Sequence, residues 1–164
     1  MSRLLLALAL IACSGAAHAQ PVGAAGEPVA ASVPQSAPEG AAVFTDLGFG
    51  LAGGFGLVPT LVGEGTPAAG QEVFLTAGKM AKSSFCWLVV GREAVYAPFK
   101  GGVMVPQNAL GFGPVPTRKG LLFFDVIWPH HIPAGSEFFA QVWVLDGSAV
   151  QGLSASNGLM VVSQ

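Results

Sequence analysis

The chain has 164 residues, of which 52% are hydrophobic and 10% charged, with a formal net charge of −2. That length leaves room for one domain and a tail, rich in core material, and the few scattered Lys and Arg provide no basic field, which excludes recognition of a phosphate backbone. Abundant Gly and Pro among many Val, Leu and Phe favour strands joined by tight turns over helices.

Met1-Ser2-Arg3, the apolar run Leu4 to Ala12 and the small-x-small stop Ala17-His18-Ala19 form an export leader with cleavage expected between Ala19 and Gln20. The run is about half of what a membrane-crossing helix needs, and no later stretch reaches ~18 apolar residues, so no transmembrane helix is expected. Leu10-Ile11-Ala12-Cys13 supports a second reading, a lipobox in which Cys13 is acylated and becomes the new N-terminus. Cleavage after Ala19 gives a secreted, periplasmic or surface protein; lipidation at Cys13 gives one held by a lipid anchor.

Residues 20–42 consist almost wholly of Ala, Pro, Gly, Val, Ser and Glu. They cannot bury enough apolar surface to offset the entropy of ordering, so a disordered linker is expected between the leader (1–19) and a folded domain (43–164). Within that domain, short apolar runs are punctuated by Gly and Pro every eight to fifteen residues or so, the signal of an all-β sandwich or barrel. Phe55 to Val58 and Thr60 to Val62 read as a broken first strand, kept to an edge by Pro59, followed by a loop over Gly63 to Gly70. Glu72 to Ala77 reads as a strand with Val73, Leu75 and Ala77 on one face. Ser84 to Val90 is apolar on both faces, which marks a central strand covered on both sides. Cys86 lies within it, and a small hydrophobe filling a core site is the stronger reading for a cysteine that is unpaired once the leader has gone.

Val103 to Val105 reads as a short strand and Gly111 to Gly120 as a loop. Leu121 to Trp128 places Leu122, Phe124, Val126 and Trp128 on one side and Phe123, Asp125 and Ile127 on the other. Pro129 to Gly135 turns the chain. In Phe138 to Asp146, Phe139, Gln141, Trp143 and Leu145 share a face opposite Phe138, Ala140, Val142 and Val144. Asn157-Gly158 between Ser154-Ala155-Ser156 and Leu159 to Val162 predicts a terminal β-hairpin.

Phe138-Phe139-Ala140-Gln141-Val142-Trp143-Val144-Leu145-Asp146, with Ser156-Asn157-Gly158-Leu159 after it, resembles a module that recurs at the C-termini of secreted proteins from large-genome bacteria. Gly56 to Leu61 and Gly65-Thr66-Pro67-Ala68-Ala69-Gly70 match two further segments of that family, so the likeness spans most of residues 55–162. It implies a compact β-sandwich on exported proteins and assigns no catalytic residues. Two departures stand out: Gly147 in place of the usual proline, and the pair His130-His131.

Asp125, His130 and His131, with Asp146 as a further candidate, form the one polar constellation that could hold a metal or serve acid–base chemistry. Adjacent histidines on a strand point to opposite faces, so both bind one ion only from a loop. Gly-x-Ser-x-Gly, His-Glu-x-x-His and a phosphate-binding glycine loop are all missing from the sequence. The G-x-G-x-x-G spacing within Gly48 to Gly56 does not sit between a strand and a helix, and reads as a turn-forming segment. Gln141 and Trp143, side by side on a strand, and Tyr96, the aromatic most expected to be exposed, are candidates for ligand binding of the kind that holds sugars on sandwich faces. The competing reading packs Trp143 in the core and gives the Gln141 amide to a loop backbone.

Together these features predict an all-β protein, a single antiparallel sandwich of immunoglobulin-like or jelly-roll-like kind. Its expected role is that of an exported, non-catalytic binding or interaction module. Its partner would be an extracellular ligand, carbohydrate among the candidates, or an envelope protein, with no cofactor and no nucleic acid. The alternatives are a metal-dependent or hydrolytic enzyme using Asp125, His130 and His131, and a structural envelope or matrix component.

Overall fold

A computed structural model describes residues 3–6, 43–107 and 110–164. Among the described residues twelve strands follow one another: β1 Arg3–Leu6, β2 Phe44–Gly48, β3 Thr60–Gly65, β4 Glu72–Gly78, β5 Phe85–Gly91, β6 Ala94–Phe99, β7 Gly102–Pro106, β8 Leu110–Pro116, β9 Leu122–Ile127, β10 Glu137–Leu145, β11 Leu153–Ala155 and β12 Gly158–Val162. They form one sheet ordered β1-β9-β4-β3, a second ordered β2-β12-β10-β5-β8 with β11 also on β10, and a separate β6-β7 hairpin. The two larger sheets pack face to face, so the protein is an all-β sandwich. Every pairing is antiparallel except that of β1, which runs parallel to β9. Strand β1 falls in the expected leader; if the chain is cut after Ala19, β9 becomes an edge. The cleavage site, Cys13 and the 20–42 segment lie outside the described residues.

The alternation along the strands decides which side chains fill the sandwich. Val73, Leu75 and Ala77 of β4, Leu122, Phe124 and Val126 of β9, and Phe138, Ala140, Val142 and Val144 of β10 all join one buried cluster. Each Val, Leu or Phe among them, fully buried, contributes about 1.5–3 kcal/mol. Trp128 closes one end of the cluster. Its ring stands edge-on to Phe138 at 5.3 Å between centroids, and its indole N–H donates to Ser163 Oγ at 3.0 Å.

Strand β10 is buried along seven of its nine residues because it is covered twice. Its inner face meets the first sheet. Its outer face carries a second cluster of Val89, Met104, Trp143 and Ala155, roofed by β7 and Leu51. Gln141 fastens that roof. Its side-chain Oε1 accepts from Val105 N–H (3.0 Å) and from the Trp143 indole (3.2 Å), while Nε2 donates to the Val103 and Ser156 carbonyls (3.1 Å each).

Four expectations need correction. The terminal segment is not a hairpin about Asn157-Gly158: β11 and β12 lie end to end along the same edge of β10. Asn157 instead reaches the other sheet, its Oδ1 accepting from Leu61 N–H at 2.8 Å and its Nδ2 donating to Leu61 C=O at 3.0 Å, as a further strand residue would. Gly158 is small because Val105 approaches, with no room for a Cβ (2.8 Å to Val105 Cγ2). Residues 110–116 form β8 rather than a loop; Pro114 and Pro116 are tolerated because β8 is the outermost strand of its sheet. Residues 54–56 form a short 3-10 turn with Phe55 at φ 58°, so the first strand starts only at Thr60. That strand then runs to Gly65, into the expected loop.

Cys86 is fully buried in the main core, and burial pushes its thiol from 9.0 up to about 11. The thiol is therefore expected to resist alkylation in the folded protein. Because its folded value lies above the unfolded one, its contribution to stability is complete below about pH 9 and is lost as pH rises towards about 11. A denaturation series across that range should show alkaline loss in the parent that is reduced in Cys86→Ala. An identical pH slope in the two proteins would refute it.

Candidate functional site

The residues singled out in the sequence fall in three places. Gln141 is 0% exposed and uses both donors and both acceptor positions of its amide inside the protein, so it has nothing to offer a ligand. Trp143 is 2% exposed, stands edge-on to Phe99 at 4.9 Å and gives its indole N–H to Gln141. Tyr96 is 45% exposed and lies in a bulge of β6 at φ 49°, its ring 5.1 Å from that of Phe49. Gln141 and Trp143 are thus brought together, but beneath the β6-β7 hairpin, and Tyr96 stands apart from them.

His130 and His131 are both exposed in the turn after β9. The His130 ring rests on Gly70, where a Cβ would come within 2.8 Å of its Cε1. Asp125 sits mid-strand in β9, paired with Leu5 and Phe74 in the neighbouring strands. Among the described residues no three His, Cys, Asp or Glu side chains gather closely enough to hold a metal ion.

Two concavities stand out among the described residues. The larger, of about 540 Å³, lies on the outer face of the second sheet between the β6-β7 hairpin and the β10-β11 turn. Trp87 and Trp143, directly opposite each other on β5 and β10, form its floor with Val89 and Met104, and Phe99 forms a wall. Its lining is mainly apolar with Lys100 and Gln151 among it, and the Trp143 indole N–H is already committed to Gln141.

The second, of about 380 Å³, opens at one end of the sandwich and is built by three segments far apart in sequence. The β4-β5 loop brings Lys79, Met80, Ala81 and Lys82; the end of β10 and the following strand bring Asp146, Ser148 and Ser154; the 3-10 turn brings Gly54, Phe55 and Leu57. Met80 is buried and forms an apolar back wall, while Phe55 is fully exposed at the mouth.

Asp146 is held rigidly. Its Oδ1 accepts from Ser148 N–H and its Oδ2 from Gly54 N–H, each at 2.9 Å. The carboxylate presses so closely on Gly53 that a Cβ there would meet Oδ2 at 2.0 Å. Two backbone bonds leave the carboxylate with acceptor capacity facing the cleft. Ser154 also lines it, and its Oγ is the one buried side-chain polar atom among the described residues with no hydrogen-bond partner. A buried hydroxyl left unpaired costs about 1–3 kcal/mol, so natural structures carry few of them. Lys79, at φ 54°, and Phe55, at φ 58°, are two of the seven non-glycine residues with left-handed backbone among those described.

In the sequence Asp146 stands out only as a companion of Asp125, and its spacing does not point to the cleft. The signal that the sequence offers is the Gly53-Gly54 pair, where the missing side chain at Gly53 lets the Asp146 carboxylate approach. The lysine loop is itself anchored: Thr117 Oγ1 donates to Ala81 C=O and accepts from Ser84 N–H, and Met80 N–H donates to Gly120 C=O. Comparison with protein-family models, curated proteins and solved structures gives no match to this chain.

Proposed function

We propose that this is an exported, non-catalytic binding module whose end cleft takes a small hydroxylated ligand, a saccharide. The unpartnered Ser154 hydroxyl carries the reading. Ser154 is 0% exposed in the protein alone, so a small opening of the wall beside it lets a saccharide hydroxyl supply the missing partner, while a second donates to the spare acceptor positions of Asp146 and the C–H face of a pyranose covers the exposed Phe55 ring. A volume of about 380 Å³ lies in the range of small-molecule sites. The export leader supports a role outside the cytoplasm, released after Ala19 or anchored through Cys13, and the likeness to a module of secreted proteins agrees with such a role.

The test is calorimetric titration with a panel of neutral and acidic trisaccharides, with release of reducing sugar followed in parallel. Saturable binding without turnover is expected, abolished in Gly53→Ala, whose new methyl displaces the Asp146 carboxylate, while that variant keeps a cooperative melt. No binding by any member of the panel would overturn the proposal. Turnover lost in Asp125→Ala or His130→Ala would replace it with the enzymatic alternative.

A further inference from the structure

The end cleft has a charge pattern that narrows its ligand. Only four of the 164 residues are lysine in a chain of formal charge −2, yet two of the four, Lys79 and Lys82, line this one cleft. They are not a solvated run on an open strand. They flank Met80 and Ala81 in a turn fixed at several points: Met80 N–H to Gly120 C=O at 3.1 Å, Thr117 Oγ1 to Ala81 C=O at 2.8 Å, and Thr117 N–H to Ser84 C=O at 2.8 Å. Gly120, at φ 76°, lies so near that a Cβ would meet the Met80 carbonyl oxygen at 2.5 Å. The chain therefore commits five residues, Met80, Ala81, Ser84, Thr117 and Gly120, to fixing the turn that holds two ammonium-bearing stems at the cleft.

The opposite wall carries the acid. Asp146 is turned towards backbone N–H groups of Gly54 and Ser148, which offset its charge without a basic side chain. A neutral sugar would use Asp146 and Ser154 and leave both ammonium groups idle. A sugar carrying a carboxylate uses all four.

We infer that the cleft selects an anionic saccharide, a uronic acid unit whose hydroxyls meet Asp146 and Ser154 and whose carboxylate lies between Lys79 and Lys82. This rests on the saccharide reading above and adds the charge to it. Exposed ion pairs are individually weak, so the two lysines together give about a tenfold preference for the acid over its neutral form, and this preference shrinks as salt is raised.

Trigalacturonic acid and its fully methyl-esterified counterpart separate the two statements. The acid is expected to bind about tenfold more tightly than the ester in low salt, and Lys79→Gln/Lys82→Gln brings the ratio close to one. Equal affinity of parent protein for acid and ester overturns the anionic inference and leaves the saccharide reading standing; binding of neither overturns both. A sulfated neutral trisaccharide is the third arm. If it binds more tightly than the uronate, the anion is a sulfate ester and the carboxylate assignment is wrong. Gly120→Ala supplies an independent check: by displacing the Met80 carbonyl it misplaces the lysines, and it should lower the acid-to-ester ratio without abolishing binding of the ester.

Discussion

Replacing Gln141 with Ala is expected to lower stability by about 3–5 kcal/mol, although the position lies on the outer face of its sheet rather than in the main core. The amide is the hub through which β7 and the β11-β12 junction are tied to β10. Truncation leaves Val105 N–H, Val103 C=O, Ser156 C=O and the Trp143 indole N–H without the partner they have in the native fold. Each orphan left buried costs about 1–3 kcal/mol, reduced where water can enter the space the side chain vacates. Gln141→Met separates packing from polarity, because it restores most of the volume and none of the hydrogen bonds. If the polar hub matters, Met is nearly as destabilising as Ala in urea denaturation at unchanged m-value, and hydrogen exchange at Val105 accelerates in both. A Gln141→Met protein as stable as the parent would show that the hairpin is held by apolar packing of Met104 and Trp143 alone.

The same residue shows how far a one-dimensional pattern reaches. Alternation in β4, β9 and β10 assigned Val73, Leu75, Phe124, Val126, Val142 and Val144 to the sandwich interior, because in a strand the face is set by the parity of the position and nothing else. It also placed Gln141 beside Trp143. What it could not supply was the roof over that face, because β6 and β7 are short and broken by Pro98, Pro106 and the left-handed Tyr96. Asn157-Gly158 departs from the hairpin its sequence predicts for a related reason. Its turn chemistry is local, whereas the partner that decides its conformation, Leu61, is 96 residues away. Strand β8 is disguised by its prolines, which argue against a strand only where both edges are paired, and edge position is a property of the whole sheet.

The cleft was harder still to find. Lys79 and Lys82 come from one loop, Asp146 and Ser148 from a second, and Gly54 and Phe55 from a third, with 92 residues between the carboxylate and the backbone N–H that orients it. None of these residues forms a spaced motif. By contrast, Asp125, His130 and His131 were conspicuous because they are near one another in sequence, yet the turn after β9 leaves both histidines at the surface and the described residues contain no metal-holding group. Proximity along the chain was the weaker guide: the sandwich brings together the ends of its loops, and those come from distant segments.

The Ser154 hydroxyl offers the sharpest test, because stability and binding should move in opposite directions. In the protein alone it is buried without a partner, so Ser154→Ala removes an uncompensated polar group from a site that already accepts the Cβ. The variant is expected to be more stable by about 1–3 kcal/mol, visible as a higher urea midpoint at constant m. If the hydroxyl is kept for a ligand, the same change lowers affinity for the saccharide about tenfold, the equivalent of one lost hydrogen bond. Ser154→Thr restores the hydroxyl and adds a methyl group beside Gly53, where space is already tight: a Cβ on Gly53 would be 3.1 Å from that of Ser154. It should lose the stability gain without recovering full affinity. A purely structural serine behaves differently, since its removal would destabilise the protein or leave it unchanged. Greater stability with undiminished saccharide affinity would mean that the hydroxyl is simply tolerated, and would withdraw the observation on which the binding proposal stands. The gain of stability joined to the loss of affinity is the signature of a site kept strained for its ligand, because a chain selected for stability alone has alanine within one substitution of this position.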